Sequence, residues 1–428
     1  MGTSCDSPSS WVMLNCMGRS SDSVADAETT CLAESPVVDH STGRHLRVSI
    51  GIARPPSSSY LYYLWAGSQP AVEGDSREYF REVQVIAAHG DSLLLETRRI
   101  VGFEQAYDYF VYTHSSQRPS LSRLRDFTGK PMRQYISSEA NGILRRGRGE
   151  GGDGEIVVAQ LTSTCPEQGT ADLRLLRLGG GRPDSDWELK RGVPIVAVDE
   201  HGNDERFRQR HYHGGPTPYG HKAVPVGDRF MCWVDCRWGF FLCDMAEEED
   251  YCSKLRYVSL PVMPGGHSNG NLHLPMYCGN LCCGGGGVGG NTVRYVSINP
   301  RCCCGGPGNG GSCARSRHAF TVTAWSMCLA VDGPLTWHKE TMLDCEEIWA
   351  HPSYEGLPRV YPECPVISLH NLDVVCLEVR EEEFESFETR KVWTIEVEMR
   401  GKAVLSLSVV RSTTTSHESK LYCRVDNS

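Results

Sequence analysis

Seven of the twenty cysteines in the 428-residue chain fall in one short region: Cys278, Cys282, Cys283, Cys302, Cys303, Cys304 and Cys313. Thiols at this density could hold zinc, which takes four thiolate or imidazole ligands in a tetrahedron, commonly from two close pairs. Cys278 and Cys282 are spaced as one such pair, and His273 and His318 lie near. The opposing run Cys302-Cys303-Cys304 suits a single metal poorly, because adjacent side chains diverge. The region reads three ways: a structural zinc loop, a redox-responsive loop, or a Gly/Cys-rich insertion between two strands. Spacing alone assigns no metal ligand.

Three other patterns resemble functional motifs by their letters. Gly266-His267-Ser268-Asn269-Gly270 matches G-x-S-x-G, whose serine must sit on a sharp turn from a buried strand into a helix. Pro264 and two glycines come before it and Pro275 follows closely, so no helix is expected there. Gly285, Gly287 and Gly290 match G-x-G-x-x-G, which binds a dinucleotide only when a helix N-terminus follows. A β-rich run follows instead. His211, Tyr212 and His213, with His221 near, would place two rings on one face of a strand. Gly214, Gly215, Pro216 and Pro218 come next, so a loop is expected. No catalytic residue and no cofactor is assigned from these patterns.

The elements that would have to position such groups are strands. Turn residues recur ahead of apolar β-rich runs: Gly90-Asp91 before SLLLET, Gly152-Asp153 before GEIVVAQL, and Gly227-Asp228 before RFMCWVD. Gly290-Asn291 before TVRYVSI and Asn371-Leu372-Asp373 before VVCLEV follow the same form, at spacings of 62 to 81 residues. What comes next also rhymes. RFMCWVD leads to GFFLCDM and LRYVSLPV, and VVCLEV leads to VWTIEVEM and VLSLSVV. Three strands joined by polar turns make a meander. Repeated meanders predict an all-β, propeller-like array of about six antiparallel blades with long loops.

Helical periodicity is scarce, and a short helix is expected only within Met342–Ala350, with Asp344 near its start. The acidic run Glu378–Glu388 reads as a solvated loop or strand edge. Trp65, Trp233, Trp325 and Trp393 lie in strand patterns and are expected to pack in cores. Residues 1–10 and 411–428 read as flexible ends. Residues 11–410 read as one domain carrying a Gly/Cys-rich insertion at 263–317.

A net charge of −10 argues against general affinity for nucleic-acid phosphates or anionic lipids. The first ten residues lack the basic and apolar regions of a secretory signal, and no apolar run reaches the length of a bilayer span. A soluble cytosolic or nuclear protein with reduced thiols is expected.

The run His221–Val262 resembles the signature region of the plant domain-of-unknown-function 1618 family. The matching positions are Trp233, Asp235, Gly239, Asp244, Leu255, Arg256, Tyr257, Val258, Leu260 and Pro261. WVMLNCMGR at the start, VIAAHGDSLLLET with YDYFVYTH, and Phe320–Ala350 extend the resemblance over about residues 11–410. The resemblance implies a domain similar to the propeller-like modules found behind F-box motifs, and no F-box segment is read here. Fold analogy leads to a non-enzymatic scaffold with a protein partner. The alternatives are a small-molecule binder or enzyme using a central channel, and a metal- or redox-responsive protein acting through Cys278–Cys313. The oligomeric state is left open.

Overall fold

The computed structural model describes residues 11–20, 32–36, 44–67, 79–101, 104–114, 119–124, 140–147, 154–165, 167–179, 186–207, 222–236, 238–246, 252–261, 279–284, 290–302, 318–369, 371–381, 391–411 and 420–424. The chain is predominantly β. Its first strands are β1 (Trp11–Asn15), β2 (Arg19–Ser20), β3 (Ala33–Glu34), β4 (His45–Gly51) and β5 (Ser58–Ala66). Then come β6 (Tyr79–His89), β7 (Ser92–Val101), β8 (Glu104–Thr113) and β9 (Ser120–Arg123). β10 (Asn141–Arg146), β11 (Glu155–Cys165), β12 (Thr170–Leu178), β13 (Glu188–Val198) and β14 (Asp204–Arg206) follow. The next group is β15 (Lys222–Val226), β16 (Phe230–Asp235), β17 (Gly239–Asp244) and β18 (Leu255–Ser259). β19 (Gly279–Gly284), β20 (Thr292–Pro300), β21 (Phe320–Cys328) and β22 (His338–Asp344) lead into helix α1 (Cys345–Trp349). The chain closes with β23 (Glu363–Ile367), β24 (Val374–Arg380), β25 (Lys391–Glu398), β26 (Ala403–Arg411) and β27 (Lys420–Arg424).

The expected propeller of about six like blades is not what these strands form. They pair into five sheets of unequal width, with six, nine, four, four and four strands. Only β6–β9, β19–β22 and β23–β26 stand as separate four-stranded meanders. A parallel pair, Ile195–Ala197 on β13 with Leu255–Tyr257 on β18, joins two runs of strands into the nine-stranded sheet. The six-stranded sheet is mixed, since β1 and β2 both run parallel to β5. Turn residues and alternation announce strands and hairpins. They do not announce which distant edges pair, and edge pairing decides whether meanders stay separate. The stretch expected as a flexible tail also contributes a strand. β27 pairs antiparallel with β1 from Trp11↔Arg424 to Asn15↔Lys420.

By internal contacts the chain divides into two compact units. One comprises Met1–Thr162, Asp172–Arg191 and His417–Ser428, and the other Ser163–Ala171 and Gly192–Ser416. Two apolar cores of the first unit meet at β7. β7 supplies both, because successive side chains point to opposite faces. Leu93 and Leu95 join Val83, Val85, Phe110 and Tyr112. Leu94 joins Val111, Ile143, Val158 and Leu176.

Besides the side chains packed around Trp233, the described residues of the second unit form two cores. Cys232, Val234, Phe240, Leu242, Val293 and Tyr295 form one. Phe320, Val322, Leu343, Ile348, Val375, Leu377 and Ile395 form the other. The expected helix is present but short, because Met342 and Leu343 complete β22. Asp344 caps it: its Oδ1 accepts from Glu346 N at 2.9 Å, and Glu347 Oε2 accepts from Asp344 N at 3.1 Å.

Within the second unit Gly202 makes a close backbone approach. Its φ is +84°, and a Cβ there would stand 2.5 Å from Leu335 N. Leu335 N also donates to Gly202 O at 2.9 Å. Gly202→Ala therefore meets both left-handed backbone strain, about 1–2 kcal/mol by itself, and a backbone clash. A lower urea midpoint for the second unit, with an unchanged m-value, is the expected outcome.

Candidate functional site

The sequence motifs are dispersed. Gly266–Gly270, His211, Tyr212, His213, His221, His273, Cys278, Gly285, Gly287, Cys303, Cys304 and Cys313 lie outside the described residues. Gly290 opens onto strand β20, so the helix that a dinucleotide needs does not follow it. Cys282 and Cys283 are neighbours on β19 and point to opposite sides. Cys282 lies within one core of the second unit, and Cys283 packs against the other. Burial pushes the Cys282 thiol well up, away from the thiolate that binds metal. Cys302 follows the end of β20. Among the described residues no group of three or more His, Cys, Asp or Glu is placed to hold a metal ion.

The tryptophans pack. Trp233 is fully buried, while Trp65, Trp325 and Trp393 lie against cores. The acidic run is not all solvated. Glu378 is buried on β24, where Arg380 donates to it at 2.9 Å and also pairs with Glu363 at 3.2 Å. Glu378 and Arg380 begin that run but end a core strand.

Two places stand out, one in each unit. The first is strand β26, which ends its four-stranded sheet. Val404, Leu407 and Val409 lie opposite Val397, Ile395 and Trp393 of β25, and so share the core face of the sheet. Val404 is covered, but Leu407 and Val409 are 44% and 57% exposed. Leu405, the extra residue at a β-bulge, is 52% exposed. The opposite face is polar, with Ser406 Oγ donating to Glu396 Oε2 at 2.5 Å. From Ala403 to Val410 the strand carries no charge. Edge strands are ordinarily guarded by charge, proline or cover. Among the described residues of β26 the bulge alone interrupts the edge, and the core face of the sheet runs past its own cover. Alternation in VLSLSVV predicts one apolar face but not that the face is open.

The second place is Glu96 on β7. It faces Gln84 on β6 and Tyr109 on β8. Only 7% of Glu96 is exposed, and among the described residues its Oε2 has no hydrogen-bond partner. Burial pushes its carboxyl up to about 7, against smaller opposing effects from a Tyr109 hydrogen bond and the Arg98 charge. Burial and the neighbouring Glu96 charge likewise hold the Tyr109 phenol well above its ordinary value. Tyr109 also hydrogen-bonds Asn141, whose Oδ1 accepts from Gln160 Nε2 at 2.6 Å. Tyr109, Asn141 and Gln160, but not Glu96 itself, line a cavity of about 10 Å³, room for one water, whose walls include Leu94, Leu124, Val158, Arg174 and Trp187. The signal in the sequence was the run of three leucines before Glu96. Such a run marks a strand buried on both faces, so the next polar residue is buried too.

Comparison with known proteins gives a partial family match. Residues 233–376 match the model of a family described as "Protein of unknown function (DUF1618)". The match takes in the Trp233–Pro261 signature but covers only part of the expected residues 11–410. No curated protein matches the chain. Among solved structures, one described as a "putative glycoside hydrolase" from Bacteroides ovatus ATCC 8483 aligns with 11% identity over 75% of this chain and 84% of that one. Its TM-score is 0.19, too low to carry fold or activity across. No described helix is long and apolar enough to cross a membrane.

Proposed function

We propose that the protein is a non-enzymatic binding scaffold that captures an extended segment of a partner protein along β26. The supporting observation is the uncharged outer edge of that strand, with Leu405, Leu407 and Val409 exposed on it. An added strand would satisfy the edge N–H and C=O groups, giving affinity. Its alternate side chains would read the apolar positions, giving specificity. The occupant is therefore an extended segment with apolar residues two apart. Burying three such side chains removes enough apolar surface for each to contribute about 1–2 kcal/mol. The proposal includes the finer family reading, that resemblance to the DUF1618 proteins runs beyond residues 233–376. It also places the protein in the cytosol or nucleus, which suits buried free thiols such as Cys232, Cys243 and Cys345.

The test is binding to an array of extended peptides carrying apolar residues at alternate positions. Leu407→Lys and Val409→Lys put a charge on the edge while leaving the covered core untouched. Each should weaken the best wild-type binders by about tenfold or more with an unchanged melting temperature. Equal binding by wild type and both variants, or no wild-type binding to any such peptide, rules the edge out.

A further inference from the structure

Glu96 and the cavity lined by its partner Tyr109 lie in the first unit and take no part in the β26 reading. Period-2 alternation places Leu94 and Glu96 on one face of β7, and the strand register sets Tyr109 beside Glu96. Leu94 and Tyr109 both line the cavity, and Glu96 is linked to it through its hydrogen bond to Tyr109. The groups that bear on Glu96 are few. Gln84 on β6 is neutral, Arg98 lies two residues along β7, and Tyr109 with Tyr107 comes from β8. Across the cavity stand Asn141 of β10 and Gln160 of β11, bonded to each other, with Arg174 of β12 beyond them. Burial holds the Arg174 guanidinium below its ordinary value. A neutral carboxyl fits these surroundings. An ionised one leaves a charged, buried oxygen, Oε2, without a described partner.

We propose that Glu96 is a proton-operated latch of the first unit: uncharged it stays seated between β6 and β8, and ionised it draws water to its unpartnered oxygen and loosens β7, β8 and β10. The direction follows from linkage. The carboxyl titrates at 4.5 when unfolded and about 7 when folded, so between those values the folded chain holds a proton that the unfolded chain releases. The latch is therefore fully closed below pH 4.5 and opens as pH rises through about 7.

The experiment is amide hydrogen exchange from about pH 5.5 to about pH 8.5, with rates corrected for intrinsic exchange. Wild-type protection on β7, β8 and β10 should fall by about tenfold or more across that range, while β20 and β21 amides hold theirs. Glu96→Gln mimics the uncharged form and should keep protection flat. Tyr109→Phe removes the hydrogen bond that favours the carboxylate, so its midpoint should move to higher pH than in the wild type. A flat wild-type profile, an equal fall in Glu96→Gln, or an unmoved Tyr109→Phe midpoint overturns the latch.

Discussion

Arg256→Met is expected to destabilise the second unit by about 2–4 kcal/mol, mainly from buried carbonyls left without their donor at about 1–3 kcal/mol each. Arg256 is 4% exposed on β18. Its Nε donates to Asp204 Oδ1 at 2.7 Å, Nη1 to Ala330 O at 2.9 Å, and Nη2 to Gly333 O at 3.1 Å. A longer contact from Nη2 reaches Gly202 O at 3.5 Å. One planar fork thus joins β18, the turn before β14, and the loop after β21. Methionine fills a similar volume but donates nothing, so the Ala330 and Gly333 carbonyls lose this donor together, while Gly202 O keeps Leu335 N. Lys254, 3.1 Å from Asp204 Oδ2, can still screen the carboxylate, which puts the cost towards the lower end of the range. Arg256→Lys separates charge from geometry. It keeps the cation but cannot reach the carbonyls on both sides, so it should fall between wild type and Arg256→Met. Urea unfolding of the three proteins measures the order. A lysine variant as stable as wild type would show that charge alone matters.

The same residue shows what could be read in advance. Leu255-Arg256-Tyr257-Val258 reads as a strand, and the structure has one there. An arginine in a strand reads as solvent-facing. It is buried because the turn before β14 and the loop after β21 close over its face of β18, a strand that β17 and β13 hold in the middle of the sheet. The parallel pairing to β13 joins residues 60 positions apart, such as Ile195↔Leu255, and no turn chemistry announces it. The local turns were legible for the opposite reason. Gly90-Asp91, Gly227-Asp228, Gly290-Asn291 and Asn371–Asp373 each lie at the first hairpin of a run of antiparallel strands. Gly90 and Gly227, at φ +59° and +57°, adopt the left-handed backbone such turns demand.

The candidate sites were less legible than the strands. Leu405, Leu407 and Val409 carry an ordinary alternating pattern, and whether a partner strand covers it is a property of the sheet edge. Glu96 and Glu378 have no motif around them at all. Both became unusual only when neighbouring strands removed the water that their residue type ordinarily keeps. The conspicuous motifs misled for a related reason. Cysteines and glycines catch a pattern search by their letters, yet Cys282 and Cys283 are parted by the pleat of the strand that carries them.

Trp233→Ala should cost about 3–5 kcal/mol, the usual range for emptying a large aromatic site. Trp233 has 0% exposure at the centre of β16. It pairs in register with Ala223 of β15 and Phe241 of β17, and Phe241 in turn lies opposite Tyr257 of β18. One face of four neighbouring strands is thus Ala223, Trp233, Phe241 and Tyr257, and Phe207 packs edge-on against Tyr257 at 5.7 Å. The small Ala223 beside the indole is the complement that lets so large a side chain fit. The other face of β16, through Cys232 and Val234, belongs to a separate core. The sheet therefore cannot shift toward the vacated site without opening that core, so collapse is limited and the cavity penalty stays high. Trp233→Phe keeps most of the packing and should lose about 1–2 kcal/mol. The ratio of the two losses is the informative quantity. If alanine costs no more than phenylalanine, the strands relax freely and β16 is not pinned between two cores.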